Sequence, residues 1–145
     1  MSRITSGPIE LTAPEDWGKI SEPGEVLTLA KLGDGVGALQ FSSAGYRAGV
    51  KPDPDVGELG AMVRELARAN ALGIESDRVA VTENGLRIAA ASYSNDEEFT
   101  RIWYVTDGWS VALATYTCDA SDPRTELDAC ERIVRAIRFS KVSDS

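Results

Sequence analysis

The sequence predicts an α+β fold: an antiparallel sheet of about six to seven strands with two main helices packed on it. Three observations carry this. Strand-like runs follow one another through hairpin-type junctions, two of them marked by Asn84-Gly85 and Asp107-Gly108. Apolar residues take helical spacing in only two places, Val56, Leu59, Val63 and Leu66, and later Leu127, Cys130, Ile133, Val134 and Ile137. The resulting order is strands, helix, four strands in hairpin succession, helix, which favours an antiparallel sheet covered by helices.

Taken in order, Ile4–Leu11 reads as an extended piece leading to Ala13-Pro14-Glu15-Asp16-Trp17, where Pro14 marks a turn or a short helical start. Glu25–Leu32 and Ala38–Ser43 read as strands joined by a glycine-rich hairpin loop, Gly33-Asp34-Gly35-Val36-Gly37. Leu39 and Phe41 point to one side of the second strand, and Ala38, Gln40 and Ser42 to the other. A helix then opens, capped either by Asp55 with Glu58 three residues on, or by Asp53 with Pro54 at the first helical position. Met62 sits beside its apolar stripe and Gly73 supplies the stop.

Arg78–Thr82 and Leu86–Ser94 read as the next strands, and Asn95-Asp96-Glu97-Glu98 turns the chain into Phe99–Thr106. After Asp107-Gly108 comes Trp109–Cys118. Here Trp109, Val111 and Leu113 face one side, and Ala112, Ala114, Tyr116 and Cys118 the other. Neither set is solvent-like, which predicts helices over both faces. Asp122-Pro123 signals the start of the last helix, about Pro123–Ile137. There is no internal repeat or long linker, so residues 1–145 are expected to form a single domain.

Composition narrows the function classes. The chain is 43% hydrophobic and 26% charged, ordinary for a folded protein. Its net charge is −8, spread evenly: residues 1–60 hold nine acids against five bases, residues 61–145 fourteen against ten. Without clustered Lys and Arg, nucleic acid is disfavoured as a partner, and a basic protein suits the balance better. No apolar run approaches a membrane span or a signal peptide, so the expected location is the cytosol, with no membrane partner. In that compartment Cys118 and Cys130 are expected as reduced thiols, a disulfide between them being the alternative.

Histidine is absent, which removes Ser-His-Asp and Cys-His catalysis and most metal sites together. Cys130 lies on the apolar helix stripe and reads as a core residue; Cys118, at a strand end, reads as core or as partly exposed. Gly33-x-Gly35-x-Gly37 runs from strand to strand, not from strand to helix, and is read as a hairpin loop instead of a phosphate loop. Asp53 and Asp55 have a capping duty, Asp119 and Asp122 a turn-and-cap duty. No loop has the alternate-acid spacing of a calcium site.

Two groups remain. Asp96, Glu97 and Glu98 are either a solvated hairpin tip or an acidic contact for a basic partner. Trp109, with Tyr93 and Tyr104, either packs in the core or anchors an interface, whereas Trp17, Trp103 and Phe41 read as core.

The block Trp109-Ser110-Val111-Ala112-Leu113-Ala114-Thr115-Tyr116-Thr117-Cys118, together with Ile133-Val134-Arg135-Ala136-Ile137-Arg138-Phe139, resembles the end of PsbP-like domains. Trp17 after Pro14 resembles the P-x-x-W opening of that family. Gly37-Ala38-Leu39-Gln40-Phe41-Ser42-Ser43-Ala44, followed by Pro54 and a helix, resembles small bacterial proteins found beside polymorphic toxins. The resemblance implies a PsbP-like fold. It also implies a cytosolic, non-enzymatic immunity-type protein that occludes the active site of a cognate toxin or effector domain, expected to be basic. The alternatives are an adaptor of PsbP-like fold with a non-toxin partner, and a small-molecule binder. No cofactor or metal is expected.

Overall fold

The structure, a computed structural model, describes residues 1–22, 24–45, 53–122 and 124–140. Its main sheet has seven strands: β3 (Trp17–Lys19), β4 (Leu27–Lys31), β5 (Gly37–Gly45), β6 (Ile74–Glu83), β7 (Leu86–Ser94), β8 (Glu98–Thr106) and β9 (Ser110–Asp119). They lie in the order β3-β4-β5-β9-β8-β7-β6, every neighbouring pair antiparallel. β1 (Ser2–Ser6), β2 (Ile9–Ala13) and β10 (Arg138–Phe139) form a second, three-stranded sheet with β2 in the middle. Two helices, α1 (Val56–Ala69) and α2 (Leu127–Arg135), complete the α+β fold.

The helices lie on opposite faces of the main sheet, as the strand patterns predict. α1 packs on β6, β7 and β8, burying Leu59, Val63 and Ala67 against Ala89, Ala91, Tyr93 and Ile102. The intervening residues of the same strands, such as Ala90 and Trp103, turn the other way. They join Ala112, Ala114 and Tyr116 under Cys130, Ile133 and Val134 of α2 and under Ile9 and Leu11 of β2. Trp103 and Tyr116 are fully buried there. Each apolar side chain so removed from water contributes about 1.5–3 kcal/mol.

Local chemistry sets the element ends. Asp55 caps α1 through a reciprocal box: its carboxylate accepts the Glu58 N–H at 2.8 Å, and the Asp55 N–H donates to the Glu58 carboxylate at 3.3 Å. Asp53, the other candidate cap, is in a left-handed conformation and pairs with Arg87 at 2.6 Å. Asn84 and Gly85 both have positive φ, as a tight two-residue hairpin turn requires.

Three features differ from the sequence expectations. Ile4–Leu11 is no single extended piece. Gly7, at φ 54°, reverses the chain, so that β1 and β2 pair from Ser2↔Ala13 to Ser6↔Ile9. At Pro14 the chain takes the turn, one of the two expected forms, closed by the Trp17 N–H to the Pro14 carbonyl at 3.0 Å, and Trp17 opens β3. β6 begins at Ile74, four residues early, because an irregularity between Ser76 and Val79 carries the pairing past Asp77, which has φ 50°.

α2, finally, begins at Leu127. The Asp122 carboxylate is spent on the Arg124 N–H at 2.7 Å, and Arg124 has φ 61°, so the helix cannot start there. Pro123, part of the expected start signal, lies outside the described residues.

Candidate functional site

The β7–β8 turn and the β9–α2 loop meet at one end of the main sheet. The Asn95 carboxamide oxygen accepts the N–H groups of Glu97 and Glu98, at 2.9 and 3.0 Å, which shapes the turn. The Ala120 N–H then reaches the Glu97 carbonyl at 3.0 Å and ties the two loops together. In consequence Asp96, Glu97 and Glu98 are exposed, and none of their carboxylates makes a hydrogen bond or ion pair among the described residues. Asn95 performs the turn chemistry, which leaves these three acids without a local duty.

Register enlarges the cluster. Glu98 stands opposite Asp119, so two carboxylates share one face of neighbouring strands. The Ser121 hydroxyl donates to Asp119 at 2.6 Å and the Ser121 N–H at 2.9 Å; the hydroxyl bond first, then the backbone bond, holds this carboxyl below its usual range. Asp122 follows in the same loop. Ile74, 79% exposed at the start of β6, stands opposite Ser94, which puts it on the other face of the sheet from Glu98 and Asp119. The site thus offers four exposed acids, Asp96, Glu97, Glu98 and Asp119, on adjoining loops and strand ends. The pairing of Asp119 with Glu98 was hidden because those residues are 21 apart in sequence. Ile74 was hidden because the Glu75-Ser76-Asp77-Arg78 run breaks strand alternation.

The aromatic candidates do not join this end. Trp109 sits in the β8–β9 turn, a full strand length from Glu98, roughly 27–30 Å away for nine residues. The residue is 43% exposed, and its backbone N–H donates to the Asp107 carboxylate at 2.9 Å. Tyr104 is half-buried beside the α1 cluster, and burial pushes its phenol up. Tyr93 is only 4% exposed, which corrects its reading as a surface anchor. It lies under α1 and donates its hydroxyl to Glu75; burial first, then that bond, pushes its phenol to about 12. The three rings therefore form no common patch.

The remaining polar groups of the interior are committed to the fold. Cys118 and Cys130 are buried free thiols, both pushed up chiefly by burial, so neither is poised as a thiolate nucleophile. Glu126, 4% exposed, accepts the Tyr116 hydroxyl at 2.9 Å and the Val36 N–H at 3.0 Å, anchoring the glycine-rich loop. A Cβ at Gly37 would fall 2.5 Å from the Tyr116 hydroxyl, so glycine is needed there for packing. Among the described residues no group of three or more acids and cysteines is arranged to hold a metal ion. No helix among them is long and apolar enough to cross a membrane.

No family model matches the chain, and no curated protein matches it. Among solved structures it is similar to the solution structure of cyanobacterial PsbP (CyanoP) from Synechocystis sp. PCC 6803. Identity is 12% and the TM-score 0.62, over 95% of this chain and 91% of that one. It is also similar to a crystal structure from Bacteroides thetaiotaomicron VPI-5482, with 12% identity and a TM-score of 0.58. That match covers 92% of this chain and 46% of the other, so this chain spans about half its length. At such identity the likeness shows the fold alone, and the fold is PsbP-like. Neither structure connects it to toxin neutralisation.

Proposed function

We propose that this chain is a non-enzymatic binding protein whose acidic end covers a basic surface of a protein partner. One observation carries the reading: Asp96, Glu97 and Glu98 stand at an exposed tip with no ion pair among the described residues, and Asp119 lies in register beside Glu98. Glu98 and Asp119, like charges directly opposite each other, cost stability. Their use is in meeting positive charge, where they speed encounter and select partners.

In its most specific form the partner is a toxin or effector domain and the acidic end occludes its active cleft. This form rests on the sequence resemblance to small proteins found beside polymorphic toxins. Co-expression with the product of a neighbouring effector gene tests it. Co-purification with protection of the host cell is expected; absence of both sinks the immunity form. Binding to a non-toxin partner through the same acids would leave an adaptor role.

A further inference from the structure

Beyond that reading, we infer that the face of α2 away from the acidic end holds a second binding site, an open groove that takes an extended acidic peptide with apolar side chains. The groove has a volume of about 1340 Å³ and runs between the C-terminal turn of α2, the β6–β7 turn and the β1–β2 hairpin. Its accessible apolar lining is Pro14, Ala136 and Phe139, backed by the buried core residues Leu86, Ile133 and Ile137. The volume exceeds the roughly 300–1,000 Å³ typical of small-ligand pockets. Its open form suits a chain segment lying along it better than a small molecule enclosed within it.

Charge identifies the occupant. Three arginines, Arg132, Arg135 and Arg138, line the groove. Arg135 is engaged, by Glu83 at 2.9 Å and by Glu131 at 3.3 Å. Arg132 and Arg138 are exposed, and neither side chain has an ion pair or hydrogen bond among the described residues. Glu10, opposite Arg138, is held by Arg3 at 3.4 Å.

Two carboxylates of the groove are ion-paired, Glu83 with Arg135 and Glu15 with the terminal amine at 3.3 Å; the third, Asp107, accepts the neutral N–H groups of Trp109 and Ser110, so two open arginines stand against one aspartate. What the groove offers a ligand is therefore an apolar lining with two open guanidinium groups. Arg132 also suits the C-terminal turn of a helix, but Arg138 lies beyond the helix, where that explanation does not reach. On a chain of net charge −8, two open arginines on one apolar groove select an acidic ligand with apolar contacts.

The test uses the whole chain and a labelled, end-blocked peptide of about eight residues alternating Glu and Leu, long enough to span such a groove. Fluorescence anisotropy at low salt is expected to show binding that weakens roughly tenfold or more in Arg132→Gln/Arg138→Gln. The charge-matched variant Arg64→Gln/Arg68→Gln, on α1, is expected to bind this peptide as the parent does, which separates this site from the overall charge. The proposal is overturned if a Gln-Leu peptide binds equally well, or if the double arginine variant is unaffected. It is equally overturned if decanoate binds at the arginines and the peptide does not. Self-association of the chain that the arginine changes abolish would also overturn it, since a second copy would then be the occupant.

Discussion

Glu98 and Asp119 face each other directly across the β8–β9 ladder, two carboxylates in one cross-strand pair. Like charges so placed repel, and the Ser121 bonds keep Asp119 charged. Glu98→Gln is therefore expected to raise the melting temperature, with the gain vanishing at high salt as screening removes the repulsion. Thermal denaturation at two ionic strengths checks this. An unchanged or lower melting temperature at low salt would show that the pair carries no strain.

A second pair is held tightly together. The Tyr116 hydroxyl and the Val36 N–H are the two donors to buried Glu126. Tyr116→Phe removes one of them and leaves a buried carboxylate oxygen without its bond, at a cost of about 1–3 kcal/mol. Urea denaturation measures this loss, which should be accompanied by little change in secondary structure.

Arg101 is 3% exposed, donates to Glu131 at 2.6 Å, and also reaches Ser92 and the Asp77 carbonyl. Glu131 is less buried and has a second partner in Arg135. The two ends of this ion pair are thus unequal. Glu131→Ala strands a buried cation and is expected to cost about 3–5 kcal/mol. Arg101→Met leaves Glu131 with Arg135 and is expected to cost less. Equal losses in denaturant titrations would contradict this asymmetry.

Tyr93 makes stability depend on pH at the alkaline end. Its folded-state phenol is pushed to about 12, from an ordinary value of 10.0, mainly by burial and then by Glu75. The unfolded chain therefore loses this proton first, near pH 10, and unfolding is favoured as pH rises. The stabilisation is fully present below pH 10 and is lost between about 10 and 12, on the order of 2 kcal/mol. Tyr93→Phe should flatten that part of the profile, measured as the difference between the two stability curves.

The architecture was largely legible because its signals are local. Asn84-Gly85 and Asp107-Gly108 fix hairpins within a few residues, and the stripe from Leu59 to Val63 fixes a helix face. What escaped depends on distant partners or on competing local chemistry. The pairing of Phe139 with Ile9 joins the two chain ends in a two-residue strand too short to show a period. Asp122 looked like a helix cap, yet its carboxylate closes a turn on Arg124 instead.

The candidate site divided the same way. Asp96, Glu97 and Glu98 could be chosen from composition and turn position, and the fold leaves them exposed. Tyr93 could not be placed, since a tyrosine at an even strand position looks alike whether helix or water covers it. Here α1 covers it.

Association kinetics decide whether the acidic end meets a basic protein surface. The product of the neighbouring effector gene would be titrated with the parent chain and with Asp96→Asn/Glu97→Gln/Glu98→Gln, at low and high salt. The association rate is expected to fall roughly tenfold in the variant, which should also largely lose the salt dependence. Tight binding with the same rate and salt response in both proteins would contradict it.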